Sequence, residues 1–90
     1  MFEKENERRR NMAFNLKRLR AERVAAGMTQ EQFAKKVGLS REAYAKRENG
    51  LIKISVEDLA NILHALGYDA SKSSIFFEHN VRNKEQKIGE

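Results

Sequence analysis

The clearest apolar rhythm in the chain is Leu59, Ile62, Leu63 and Leu66, four aliphatic side chains on one face of a helix. Ser55 stands at the N-cap position with Asp58 three residues on, and Gly67 follows the last stripe residue, so both ends are signalled. A shorter inward face, Phe33, Ala34 and Val37, begins after Thr29 and Gln32, which fit a capping box. That helix should stop at Gly38 after about eight residues, with Leu39 plugging the core from the turn. Ser40 caps the next helix, Arg41 to Glu48, whose one large apolar residue is Tyr44. Upstream, residues 11–26 place Met12, Leu16, Leu19, Arg23 and Ala26 on one helical face. Near the end, Ser73 or Ser74 caps a short helix holding Ile75, Phe76 and Phe77. Nothing alternates with period two for long enough to suggest a sheet. The expectation is an all-α, compact five-helix domain over residues 11–78. Residues 1–10 form either a charged arm or an extension of the first helix, and residues 79–90 a polar tail.

Two of these helices are unusual. An arginine inside an apolar stripe needs an anionic partner, because an unpaired buried charge is very costly; the alternative is that Arg23 snorkels to the surface. The helix from Arg41 to Glu48 is too polar to be held by its own burial, yet caps fence it at both ends. A small domain that displays such a helix rigidly does so to touch something, unless the helix is simply solvated.

Charge sharpens this picture. The net charge is +5, but residues 1–54 hold fourteen Lys/Arg against seven Asp/Glu, and residues 55–90 hold four against six. A basic half joined to a mildly acidic one points to a polyanion on one side of the molecule. The chain has no cysteine, which excludes disulfides and thiolate metal sites and suits a reducing cytoplasm. No apolar run approaches a membrane span, and no apolar segment resembles a secretory signal. The two histidines stand fifteen residues apart with no supporting carboxylates, and His64 falls opposite the apolar stripe. No phosphate loop or metal-ligand cluster is present, so neither an enzyme nor a cofactor is expected.

The stretches LRAER at 19–23, GMTQEQFAKKVGLS at 27–40 and ENG at 48–50 follow one another in an order that resembles the Cro- and lambda-repressor-like (Xre-type) helix-turn-helix family. That family comprises bacterial and phage DNA-binding regulators. The resemblance spans residues 20–67 and implies that the second and third helices, within residues 30–48, form the DNA-reading unit. It implies that Arg23 pairs with Glu48, which supplies the partner the apolar stripe demanded. Ala34 becomes the small residue where those two helices cross. Thr29 and Gln30 are implied to touch a phosphate on one side of the DNA, and Asn49 and Lys53 on the other. Arg41, Glu42 and Lys46 take the base-reading positions, with Ala43 or Ala45 near a thymine methyl. Glu42 either accepts from cytosine or orients Arg41. Three positions depart from the family pattern. Arg47 replaces an apolar residue, and either reaches a phosphate or lies along the surface. Tyr44 replaces an aliphatic one, so its hydroxyl needs a partner or an exit to solvent. Ile54 stands where proline is common.

The reading that follows is a sequence-specific regulator of transcription in the cytoplasm, at the nucleoid, acting as a repressor on double-stranded DNA. One small module makes few contacts, so a homodimer on a palindromic site is expected, with half-sites about 34 Å apart. Its interface is placed at Ile75, Phe76 and Phe77, one or two of them inward and the remainder facing the partner. An antitoxin or a restriction-modification controller uses the same domain, and a second protein such as a toxin or anti-repressor is then a further partner. A protein-interaction domain that has lost DNA should lack basic side chains around the third helix; Arg41, Lys46, Arg47 and Lys53 argue against it.

Overall fold

The computed structural model describes residues 12–79. The charged segment 1–10 and the tail beyond His79 lie outside the described residues. In chain order the elements are β1 (Met12–Phe14), α1 (Leu16–Ala25), α2 (Gln30–Lys36), α3 (Arg41–Glu48) and α4 (Val56–Leu66). A 3₁₀ helix (Ala70–Phe76) and β2 (Phe77–His79) follow. Five helical segments thus build the domain, as the pattern of apolar residues requires.

The caps explain the boundaries. Thr29 and Gln32 form a reciprocal capping box on α2, and Ser55 and Asp58 form another on α4. Ser40 Oγ accepts from the Ala43 amide at 3.1 Å and opens α3. Gly67 ends α4 at φ 77°, a left-handed conformation that costs glycine nothing and a side chain roughly 1–2 kcal/mol. Gly50, at φ 86°, has a second constraint. A Cβ there would stand 3.3 Å from Leu16 Cδ1, so the turn after α3 lies directly against the start of α1.

Leu19, Phe33, Ala34, Val37, Tyr44, Ile62, Leu63 and Phe76 form the buried core. Phe33 and Tyr44 meet edge-on, with ring centroids 5.2 Å apart. Ala34 is buried where α2 and α3 pack, and Leu39 is half-buried against the same core. Tyr68 Oη donates to Glu22 Oε1 at 2.6 Å and ties the segment after α4 back to α1.

Both ends of the domain differ from the sequence expectation. The first helix begins at Leu16 rather than near residue 11, because Asn15 Oδ1 accepts from the Arg18 amide at 3.0 Å and caps it there. Met12 therefore leaves the apolar helical stripe, and Ala26 at its far end is exposed. Residues 12–14 instead pair antiparallel with residues 77–79, Phe14 opposite Phe77. Three-residue strands are too short for an alternation to register in sequence. Tertiary contact fixes them: Phe14 stacks on Phe76 at 5.3 Å and meets Phe77 edge-on at 5.8 Å. The last helix is capped by Asp69, not by Ser73 or Ser74, and its 3₁₀ geometry ends where Phe77 turns extended. His79, expected in the tail, belongs to β2.

Phe76 was expected within a dimer surface, and it is fully buried. It closes the core over α1, whose N-cap residue Asn15 donates its backbone N–H to the Phe76 carbonyl at 2.6 Å. Ile75 and Phe77 are half-buried. The large apolar side chains that do face outward among the described residues are Val24, Leu51, Ile52 and Val56.

Truncating Phe76 to alanine should cost about 3–5 kcal/mol of folding stability by emptying a packed aromatic site. Urea denaturation measures it. A loss below about 1 kcal/mol would show that the ring does not close the core.

Candidate nucleic-acid interface

A helix of eight residues with one buried aromatic does not stay helical by itself in water, so α3 is held from outside. The hold is a carboxylate. Glu48, at the last position of α3, is buried together with Arg23 of α1. Arg23 Nε donates to Glu48 Oε2 at 2.9 Å and Arg23 Nη2 to Oε1 at 3.3 Å, a two-pronged contact. Tyr44 Oη donates to Oε2 at 2.6 Å and Gln30 Nε2 to Oε1 at 2.7 Å. The remaining guanidinium nitrogen of Arg23, Nη1, donates to the Met28 carbonyl at 2.8 Å. The stripe arginine therefore does not snorkel; it is bonded on every nitrogen. No buried side-chain nitrogen or oxygen among the described residues lacks a partner.

Tyr44 and Gln30 were not singled out for this network in the sequence. The signal available for Tyr44 was its spacing, i to i+4 from Glu48, which puts the two on one helix face. Burial and the hydrogen bond to Glu48 push the Tyr44 hydroxyl well above the usual tyrosine range, so it remains a donor. Burial alone would raise the Glu48 carboxyl. The hydrogen bonds from Arg23, Tyr44 and Gln30 outweigh it and hold the group below the ordinary carboxylate value.

With its inner face committed, α3 turns Arg41, Glu42 and Lys46 to solvent, and Asn49 follows at the C-cap, also exposed. Ala45 is half-buried at the margin of that face, and Ala43 is half-buried on the side that carries Arg47. Of the expected base-reading residues, Arg41, Glu42 and Lys46 thus share one open surface, while Ala43 does not lie at its centre.

Of its two expected alternatives, Arg47 takes the one along the protein surface. Its Nε donates to Asp58 Oδ2 at 2.9 Å and its Nη1 to the Ala43 carbonyl at 2.9 Å. It is folded back on α4 rather than extended toward a phosphate. Asp58 already caps α4, accepting from the Ser55 amide at 3.0 Å, so Arg47 and the cap share one carboxylate. Burial raises the Asp58 carboxyl, and the bonds from Ser55 and Arg47 lower it further than that. The pair joins the end of α3 to the first turn of α4 across the loop 49–55, on which Lys53 is exposed.

At the other end, Thr29 Oγ accepts from the Gln32 amide at 3.1 Å, while Gln32 Oε1 accepts from the Thr29 amide at 2.9 Å. The Thr29 amide is therefore already used. Gln30 is half-buried and bonded to Glu48, so its first role in the free protein is structural. Thr29 and Gln30 line a cleft of about 670 Å³ together with Arg41 and Asn49. Lys17 and Arg20 of α1 line the same cleft and were not singled out in the sequence. The signal that could have found them is their i, i+3 spacing just upstream of Arg23. No group of acidic and histidine residues among the described residues is arranged to hold a metal ion. No described helix is long and apolar enough to cross a membrane.

Comparison with known proteins agrees with this geometry. A helix-turn-helix family model matches residues 19–72, which includes all four α-helices apart from the first turn of α1. Among solved structures, the crystal structure of the clp gene regulator ClgR from C. glutamicum is similar at 32% sequence identity and a TM-score of 0.56. The similarity covers 63% of this chain and 74% of that one. No curated protein matches.

Replacing Glu48 with alanine strands Arg23 in the interior and should cost about 3–5 kcal/mol of stability. Circular dichroism melts read it directly, and a near-neutral result would contradict the buried pair. Because the folded-state pKa of Glu48 lies below its unfolded value, its contribution is complete above the ordinary carboxylate range. It is lost as pH falls through the folded value. Thermal stability should therefore decline on the acid side, and Glu48→Gln should flatten that decline while lowering stability at neutral pH.

With the buried Arg23–Glu48 pair, the capped α2–turn–α3 unit and the match over residues 19–72 in view, the chain belongs to the Xre/lambda-repressor-like helix-turn-helix family.

Proposed function

We propose that the protein is a DNA-binding transcriptional regulator that lays α3 in the major groove and acts as a repressor from a two-fold operator. The observation that carries this reading is α3 itself. A polar helix is locked from inside by Glu48 and opens Arg41, Glu42 and Lys46 to solvent on one face. An α-helix fits the major groove, where Arg and Lys donate to guanine O6 and N7 and Glu accepts from cytosine N4. Ala45, beside them, has the size to approach a thymine methyl. Asn49 and Lys53 serve as phosphate contacts beyond the end of α3, and Thr29 beyond the start of α2. The similarity to a solved regulator of clp genes supports the same class of activity.

Two copies act on one operator, because a single eight-residue reading helix touches few base pairs. The exposed Leu51, Ile52 and Val56, immediately after α3, suit a surface between copies better than the half-buried Ile75 and Phe77. A second protein partner has no specific observation in its favour.

Selection of bound sequences from a random duplex pool is the deciding experiment. An enriched motif with two-fold symmetry is expected, and the absence of any motif sinks the reading. Arg41→Ala and Lys46→Ala should each relax preference at one base position, at a cost of about 1–3 kcal/mol. Sedimentation of the saturated complex should give two chains per operator, reduced to one by Val56→Asp. One chain per operator in the unmodified protein would overturn the dimer.

A further inference from the structure

We infer that Tyr44 is a positioning residue for DNA binding: its hydroxyl orients the Glu48 carboxylate, and Glu48 in turn sets the Gln30 amide that meets a phosphate. The inference rests on the DNA-binding reading above and adds a determinant of affinity that is itself fully buried. Tyr44 stands where the family pattern has an aliphatic residue, so its hydroxyl belongs to this chain rather than to the helix-turn-helix unit at large. The ring and the hydroxyl have separate tasks. The ring meets Phe33 edge-on at 5.2 Å, and a phenylalanine in its place would keep that packing. Only the bond to Glu48 would be lost.

An ionised carboxylate offers about four acceptor sites, and those of Glu48 are all taken. Oε2 accepts from Arg23 Nε at 2.9 Å and from Tyr44 Oη at 2.6 Å. Oε1 accepts from Arg23 Nη2 at 3.3 Å and from Gln30 Nε2 at 2.7 Å. The second Arg23 bond lies beyond the usual range of about 2.7–3.2 Å, so the guanidinium holds the carboxylate firmly at one oxygen only. The short Tyr44 bond supplies the remaining hold, and Oε1 is left for Gln30. A carboxylate only accepts, so the Gln30 nitrogen faces it, and the second hydrogen on that nitrogen is the one available to a phosphate. Gln30 lines the cleft with Thr29, Arg41 and Asn49. A second tyrosine gives the internal comparison. Tyr68 Oη donates to Glu22 Oε1, also at 2.6 Å, but neither of those residues lines the cleft.

The test measures affinity and stability side by side on the full chain, with fluorescence anisotropy on a short duplex of random sequence and circular dichroism melts. Tyr44→Phe should stay folded and bind about tenfold more weakly, as the loss of a hydrogen bond to a charged group implies. Tyr68→Phe, which loses a bond of the same length, should bind within about twofold of the unmodified protein. Gln30→Ala should also weaken binding, and adding Tyr44→Phe to it should cost no more than about a further twofold, because the two act through one contact. Unchanged affinity in Tyr44→Phe would overturn the positioning role. So would equal losses in the two tyrosine variants, or a full loss from Tyr44→Phe in the Gln30→Ala background. A Tyr44→Phe chain unfolded at room temperature would overturn it too, since the hydroxyl would then serve folding. All of these outcomes leave the DNA-binding reading intact; no binding of the unmodified protein to any duplex at low salt would overturn both.

Discussion

One carboxylate holds the helix-turn-helix unit together. Glu48 accepts four hydrogen bonds from three side chains, and those side chains come from α1, α2 and α3 itself. The arrangement is demanding, because a buried ion pair stabilises only when its remaining donors and acceptors are also satisfied. Here they are: the third nitrogen of Arg23 finds the Met28 carbonyl, and the tyrosine hydroxyl finds the second carboxylate oxygen. A well-packed apolar trio could stabilise the core as well. It would not specify the angle at which α3 meets α1 and α2, whereas directional bonds from three helices to one group do.

That constraint divides the charges of the domain into two populations. Arg18, Arg23 and Arg47 are each paired with a carboxylate, Arg18 at the surface, Arg47 half-buried and Arg23 in the interior. Arg41, Lys46, Lys17 and Arg20 make no ion pair with a described residue; Lys17, Arg20 and Arg41 line one cleft, and Lys46 is exposed on α3. Arg47 shows why residue type alone does not place a cation in one group or the other. It sits within a basic run, yet the nearby α4 cap offers it Asp58, and the helix turns it toward α4 rather than outward. The bond joins the end of α3 to the first turn of α4 across the loop that carries Asn49 and Lys53.

The interior of the domain was largely legible in the residues. Thr29 with Gln32, Ser40, and Ser55 with Asp58 are local signals, complete within four residues, so the starts of α2, α3 and α4 follow from them. The demand for an anion beside Arg23 was also legible, because burying a lone charge is prohibitive whatever the fold. The ends of the domain were not. The caps there are Asn15 and Asp69 rather than the residues the apolar pattern marks, and the strands of residues 12–14 and 77–79 carry no periodic signal of their own. Phe14, Phe76 and Phe77 acquire their roles only when the two ends of the domain meet.

The sequence by itself determined the starts of α2, α3 and α4 with their caps, the basic half of the chain and the need for a partner to Arg23, because each of these depends on residues close together or on a cost that no fold escapes. Tertiary structure alone decided how the described charged and aromatic side chains are partnered. Arg47 was drawn to Asp58, Gln30 to Glu48 and Phe76 into the core, while Lys17 and Arg20 stay exposed along the cleft that Arg41 also lines. The physical reason is distance: these pairings join positions that only packing brings within hydrogen-bond or van der Waals reach.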